Sequence, residues 1–146
     1  MKVPANACVL VVDGRKMLFF RNQGDDAHPN LVVETAEERV NPADRDQKTD
    51  APGRASSPQG AAYGSMEETD YHQQEEDRFA AETAELLKQR ALTNDFEALV
   101  VVAPPKTLGE LRKHYHKAVS QRLIGELAKD LTGHPVPEIE KALGAA

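Results

Sequence analysis

The sequence has no tryptophan, a single cysteine and few aromatic residues, which make up 5% of its 146 residues. With Cys8 alone, no disulfide can form within the chain, and a cysteine inside an apolar run is typical of a small buried side chain. The scarcity of aromatic rings argues against a surface that stacks nucleic-acid bases. These absences fit a reducing compartment, and we expect a cytoplasmic location.

The chain also lacks a long apolar run and an excess of positive charge. No stretch approaches the ~18 apolar residues that cross a bilayer. The first apolar run breaks at Asp13-Gly14, so we expect neither a signal peptide nor membrane insertion. The net charge of −6 argues against binding nucleic acid over the whole surface, although a local basic face remains compatible with it.

What the sequence does contain is, first, a hairpin signal. Two apolar runs, residues 7–12 and 16–21, flank Asp13-Gly14-Arg15. Asp-Gly tolerates the positive φ that tight hairpin turns require, so these runs are predicted to form two antiparallel strands. Residues 31–40, which contain Val and Thr, predict a third strand.

Residues 41–74 differ in composition from the rest of the chain. They contain three prolines, three glycines and many small polar residues, with almost no large aliphatic side chain. Such a segment buries too little apolar area to offset the entropy lost on ordering. We predict a long flexible loop, of a length that is usually functional or disordered.

The remainder predicts helices around one further strand. Residues 75–91 place apolar or small side chains on one helical face, namely Phe79, Thr83, Leu86 and Leu87. Residues 96–103 form a continuous apolar run typical of a central strand. Pro104-Pro105 predicts a helix start, residues 106–129 predict two consecutive helices that meet near 114–117, and the chain is expected to end in a short helix after Gly133.

The order β-β-β-loop-α-β-α-α-α predicts a single α/β domain spanning residues 1–146. Its core would be a mixed sheet of about four to five strands, with helices packed on it.

Asp13, at the end of the first strand, raises the possibility of a two-metal nuclease. That chemistry needs several carboxylates around ions about 4 Å apart, yet the fourth strand ends in Ala103-Pro104-Pro105, with no acid. We therefore interpret Asp13-Gly14 as a turn. His114 and His116, two residues apart, would point in different directions on a helix, and no phosphate-binding glycine loop is present. We expect no metal, no cofactor and no catalytic residue.

A basic stretch is the stronger binding signal. Lys106, Lys113 and Lys117 would fall near one line on a continuous helix, with Arg112 beside it. A solvated helix face would also explain this pattern. The functional alternative is a surface that contacts the phosphates of RNA or another polyanion.

Several longer stretches resemble the bacterial host attachment family, whose members are labelled "protein required for attachment to host cells". The most specific are "APPKTLGELR" (residues 103–112) and "KDLTGHP" (residues 129–135), and the similarity extends over nearly the whole chain. This family is in turn similar to the middle domain of archaeal and eukaryotic class-1 release factors. The resemblance implies a ribonuclease H-like fold with a long mobile loop.

In those release factors the loop before a helix carries Gly-Gly-Gln, which promotes peptidyl-tRNA hydrolysis. The corresponding stretch here reads Ser57-Pro58-Gln59-Gly60, so the motif is missing. Contact with the ribosome or tRNA would survive that loss. The resemblance therefore implies a binding protein more readily than a hydrolase.

Our prediction from the sequence is a non-enzymatic protein that binds RNA or the ribosome through loop 41–74 and the basic helix, with an indirect role in attachment to host cells. The predicted binding residues are Arg54, Ser56, Ser57, Gly60, Lys106, Arg112, Lys113 and Lys117. Two alternatives remain open. One is a hydrolase of a tRNA ester or nucleotide, with Asp13 at its site. The other is an adaptor that binds a protein partner through the loop.

Overall fold

The computed structural model describes residues 1–39 and 58–146, and for residues 58–70 it describes the backbone alone. Within these residues lie five strands and four helices. The strands are β1 (Cys8–Val12), β2 (Lys16–Asn22), β3 (Leu31–Glu38), β4 (Leu99–Ala103) and β5 (Leu123–Ala128). The helices are α1 (Pro58–Leu92), α2 (Pro105–Arg112), α3 (Lys117–Ser120) and α4 (Val136–Ala145). No helix in the described residues is long and apolar enough to cross a membrane.

The five strands form one mixed sheet in the order β3-β2-β1-β4-β5. β2 runs antiparallel to both β1 and β3, whereas β4 runs parallel to β1 and β5 runs parallel to β4. This arrangement is ribonuclease H-like, which confirms the predicted fold class. It also means that β1, β3, β4 and β5 all end at one edge of the sheet, which we call the carboxyl edge.

The core lies on both faces of two central strands. Every residue of β1 and β4 is buried, because helices cover the sheet on each side. On one face, α1, α2 and α3 pack around Leu10, Phe19 and Phe96. On the other face, α4 packs through Ile139 and Leu143. The predicted strands at 7–12, 16–21, 31–40 and 96–103 are all confirmed.

Helix α1 corrects the predicted loop. It begins at Pro58, so residues 58–74 are helical, whereas residues 40–57 lie outside the described part of the chain. Proline is well tolerated in a first helical turn, where its missing N–H has no partner to lose. Most of the prolines that indicated a loop precede this point, and residues 66–68, Met-Glu-Glu, are strong helix formers. The predicted helical face from Phe79 to Leu87 is confirmed, since both of these side chains are buried.

The predicted pair of helices over 106–129 is partly wrong. α2 ends at Arg112, α3 is a single turn, and residues 123–128 form strand β5 rather than a helix. Leu123 and Leu127 are spaced as on a helix, but they also suit a strand, in which every second side chain shares a face. Without β5, the buried strand β4 would present an unpaired backbone edge, so tertiary pairing decides the structure of this segment.

Candidate functional site at the carboxyl edge of the sheet

Each of the four strands that end at the carboxyl edge is followed within three residues by a cation. In the order β1, β3, β4 and β5, these residues are Arg15, Arg39, Lys106 and Lys129. In open α/β sheets, ligands bind in the crevice beyond the carboxyl ends of the strands, where the connections provide side chains from several elements. The topology thus places four positively charged residues that are far apart in the sequence along the same edge of the sheet, and only Lys106 was among the predicted binding residues.

A depression lies between the β1–β2 turn and α1. Its lining consists of Gly14, Arg15, Arg39, Glu75 and Glu76. A Cβ added at Gly14 would overlap the Glu76 side chain, so a larger residue at this position would require the Glu76 carboxylate to move. The depression therefore combines two guanidinium groups with two carboxylates.

Arg39 fixes the point at which the chain leaves β3. Its guanidinium forms an ion pair with Glu82 of α1 and lies over the Phe79 ring, 5.4 Å from the ring centroid. The hydrogen bond to Glu82 raises the pKa of Arg39 above its usual value. Because ring and carboxylate both belong to α1, this contact joins the end of β3 to the helix. Arg39 is therefore a structural cation as well as a surface one.

Asp13 acts as a turn residue. Its Oδ1 accepts hydrogen bonds from the backbone N–H of Arg15, at 2.8 Å, and of Lys16, at 2.6 Å. Its Oδ2 accepts from the Thr132 hydroxyl at 2.6 Å. Both carboxylate oxygens are thus engaged, and the interpretation of Asp13-Gly14 as a turn is confirmed. The expected positive φ is not found, since neither Asp13 nor Gly14 has one, and the hydrogen bonds of the Asp13 carboxylate stabilise the turn instead.

Thr132 and Asp130 were missed from the sequence. The Thr132 hydroxyl lies 3.2 Å from the Asp130 carboxylate and 2.6 Å from that of Asp13, and its single hydrogen goes to the nearer acceptor. Thr132 is buried, and it ties the β1–β2 turn to the connection that follows β5. A sequence signal did exist, since Asp-Leu-Thr shortly after a strand places polar groups at the carboxyl edge, but it can be recognised only once β5 is known to be a strand.

The predicted line of lysines does not form. Since α2 ends at Arg112 and α3 begins at Lys117, Lys106, Lys113 and Lys117 do not share one continuous helix. Arg112 forms an ion pair with Glu126 of β5 at 2.9 Å, and Lys113 pairs with Glu110 at 3.0 Å. These bonds raise the pKa of both cations. Part of the basic stretch is therefore neutralised locally, while Lys106 and Lys117 are exposed.

The predicted loop residues fall mainly outside the described chain. Arg54, Ser56 and Ser57 lie in residues 40–57, so their binding roles stay predictions. Gly60 lies in the first turn of α1 rather than in a loop, which corrects its predicted conformation. Whether it contacts a ligand is a separate matter and also stays a prediction.

A second polar cluster lies at the opposite edge of the sheet. Arg21 contacts Glu34 at 3.2 Å and Asp95 at 3.1 Å, and Arg90 reaches the same Asp95 oxygen at 3.3 Å. Cys8, Glu34 and Asp95 hold potential metal-ligand atoms within 4.8 Å of one another. However, the guanidinium groups already neutralise the carboxylates, and burial raises the pKa of the Cys8 thiol to about 12. The thiol is thus protonated at neutral pH, and the cluster is best explained as a structural network joining β2, β3 and the α1–β4 turn.

Comparison with known proteins identifies a relationship for almost the whole chain. Residues 6–143 match the family described as bacterial archaeo-eukaryotic release factor family 12. No curated protein matches the chain. The predicted kinship with archaeal and eukaryotic release factors is thereby confirmed, whereas the predicted link to host attachment stays a prediction.

Proposed function

Because the chain belongs to bacterial archaeo-eukaryotic release factor family 12, we propose that it binds the RNA of the ribosome or of a ribosome-bound tRNA. The carboxyl edge would face the phosphate backbone. The observation that carries this proposal is a pair of exposed lysines at that edge, Lys106 and Lys129, which follow the neighbouring parallel strands β4 and β5, with Arg15 after β1. Lysine and arginine side chains at one surface supply the sequence-independent part of RNA binding.

The length of α1 also supports a binding surface at the carboxyl edge. At about 1.5 Å per residue, its 35 residues span about 52 Å. Strands of 5 and 8 residues, the shortest and longest in the sheet, span only about 17 and 26 Å. α1 is therefore much longer than the sheet is deep. Its residue Glu76 lies against the β1–β2 turn, so the part of the helix before residue 75 approaches the sheet from the side of the carboxyl edge.

We further propose that the protein acts by binding rather than by catalysis, in the cytoplasm, and that any role in attachment to host cells is indirect. Two observations support this. The release-factor motif Gly-Gly-Gln is replaced by Ser57-Pro58-Gln59-Gly60, and both oxygens of Asp13, the candidate catalytic acid, are taken up by the turn and by Thr132.

The test compares two charge-reversal variants in ribosome co-sedimentation and in filter binding to ribosomal RNA. Lys106→Glu with Lys129→Glu changes the carboxyl edge, and Lys2→Glu with Lys141→Glu makes the same change in net charge elsewhere on exposed residues. Each phosphate contact contributes about 0.7–0.9 to the slope of log K against log salt. We therefore expect the edge variant to lose about 1.4–1.8 of that slope, and the control variant to lose little.

Two results would contradict the proposal. Failure of the wild-type protein to sediment with ribosomal particles at low salt would remove ribosome binding. An equal loss in the edge and control variants would show that net charge, rather than the carboxyl edge, determines affinity.

A further inference from the structure

Strand β3 forms an outer edge of the sheet and is poorly covered. Apart from Leu31 and Thr35, its residues are exposed, and Val33 retains 51% of its accessible surface. Apolar residues exposed on a sheet edge favour association with another strand, unless charges or irregularities block it. The question is therefore which backbone groups and charges this edge presents.

Two hydrogen bonds near the ends of β3 show which of its backbone groups point towards β2 and which point outward. Arg39 N–H donates to Arg15 C=O at 2.7 Å, and β3 pairs with β2 in the register that continues from this bond. Since directions alternate along an antiparallel strand, the N–H and C=O of Ala36 and Glu38 point away from β2. A β-bulge near Phe19 and Phe20 interrupts this alternation. On the other side of the bulge, Gln23 N–H donates to Asn30 C=O. Counting from that bond, the backbone groups of Leu31 and Val33 point outward.

One of these outward groups already has a partner. Leu31 N–H donates to the Glu140 carboxylate of α4 at 2.8 Å. Among the described residues, Val33, Ala36 and Glu38 have no such partner on the outer side. The free ladder is short, with room for an added strand of about five or six residues.

The negative charge on the outer edge of β3 determines which kind of strand can add there. Glu37 and Glu38 are exposed, and no ion pair to either is found in the part of the chain that the structure describes. Glu37 lies opposite Met17, on the α1 face, whereas Glu38 lies opposite Lys16, on the other face. An added strand would thus meet a carboxylate on each face. A second copy of β3 would bring glutamates against glutamates, which is destabilising for residues opposite each other in a sheet.

We propose that the outer edge of β3 is a docking site for an extended basic peptide segment of a partner protein, which adds as a further strand. Its backbone pairs with Ala36 and Glu38, which lie two residues apart on the same side of the bulge as a regular ladder requires, and its Lys or Arg side chains meet Glu37 and Glu38. The apolar side chain of Val33 provides contact area beside these charges. This site does not depend on RNA binding at the carboxyl edge.

The probe is an acetylated and amidated peptide, here called Lys-Val, in which a central Lys-Lys pair is flanked by Val, so that one lysine points to each face of the sheet; it is labelled for fluorescence anisotropy. We expect salt-sensitive binding to the intact protein and none of the matched Glu-Val peptide. Ala36→Pro removes an outward N–H, which an edge strand tolerates, and should weaken binding about tenfold, whereas Ala36→Val, which keeps the N–H, should bind as wild type. Since the proline variant could misfold, peptides methylated at alternate backbone nitrogens provide a second test on the unchanged protein. Only one of the two methylated sets should lose binding.

The charge requirement has its own control. Glu37→Lys with Glu38→Lys should abolish binding of the Lys-Val peptide, whereas Asp26→Lys with Glu97→Lys, which alters net charge equally at other exposed positions, should not. Equal effects of both variants, or equal binding of both methylated sets, would overturn strand addition. Slow, concentration-dependent hydrogen exchange of the Ala36 amide in the free protein would show that a second copy occupies the edge instead.

Discussion

Replacing Asp13 tests whether this residue stabilises the turn or acts in catalysis. In Asp13→Ala, the N–H groups of Arg15 and Lys16 and the hydroxyl of Thr132 lose their carboxylate acceptor. In Asp13→Asn, the amide oxygen still accepts from the two backbone groups. The amide nitrogen can then donate to the Thr132 hydroxyl, which turns its own hydrogen to Asp130 at 3.2 Å. The asparagine variant thus preserves the connectivity that the alanine variant destroys.

The expected magnitude follows from these contacts. Hydrogen bonds to a charged acceptor contribute about 1.5–3 kcal/mol when well shielded, but Asp13 is only half-buried and the two backbone groups can be hydrated instead. We expect Asp13→Ala to lower the free energy of unfolding by about 1–2 kcal/mol and Asp13→Asn by less than about 1 kcal/mol. Urea denaturation with an unchanged slope measures both values.

A catalytic Asp13 would behave in the opposite way. Replacing a catalytic carboxylate commonly stabilises a protein or leaves its stability unchanged, because active sites are optimised for chemistry at the expense of stability. If both variants are as stable as the wild-type protein, and both lose an activity on tRNA esters or nucleotides, the assignment of Asp13 to the turn is wrong. Ribosome binding at low salt should be unaffected in either variant.

Two further predictions concern the core. Burial raises the pKa of the Cys8 thiol from 9.0 to about 12, so its thiolate fraction at pH 8 falls by about three orders of magnitude, and Ellman's reagent should react with it only after unfolding. Because the unfolded chain releases this proton first, stability should also fall as the pH rises from 9.0 towards 12. Phe79→Ala should cost about 3–5 kcal/mol, since the ring is 2% exposed and lies beneath Arg39. A calorimetric loss below about 1 kcal/mol would mean that α1 does not pack through this side chain.

Local signals explain which elements could be predicted. The β1–β2 hairpin follows from Asp13-Gly14 between two apolar runs, and β4 follows from its uninterrupted Val and Leu residues. The second half of α1 follows from the spacing of Phe79 and Leu87. In each case, the physical cause lies within about ten residues of the chain. These elements also fix most of the fold class, because a hairpin, a crossover helix and a parallel strand leave few right-handed arrangements.

The missed features depend on contacts that are distant in the sequence. β5 is a strand because β4 offers it an unpaired edge, and the helical spacing of Leu123 and Leu127 cannot reveal this. The start of α1 at Pro58 was obscured because the composition of residues 41–74 was averaged across that start. The cations of the carboxyl edge lie at four separate positions between residues 15 and 129, so only the strand order unites them.

The outer edge of β3 adjoins the carboxyl edge at Arg39, but the sheet order separates it from the two lysines that carry the proposed RNA binding. β3 lies three strands from β4 and four from β5, which at about 4.8 Å per strand amounts to about 14 and 19 Å. Both distances exceed the screening length of about 8 Å at physiological ionic strength. Glutamates on the outer edge of β3 therefore have little effect on a phosphate bound between Lys106 and Lys129. The two proposals are therefore compatible in one chain of net charge −6, with the polyanion at one side of the sheet and the basic strand at the other, and the failure of one proposal leaves the other standing.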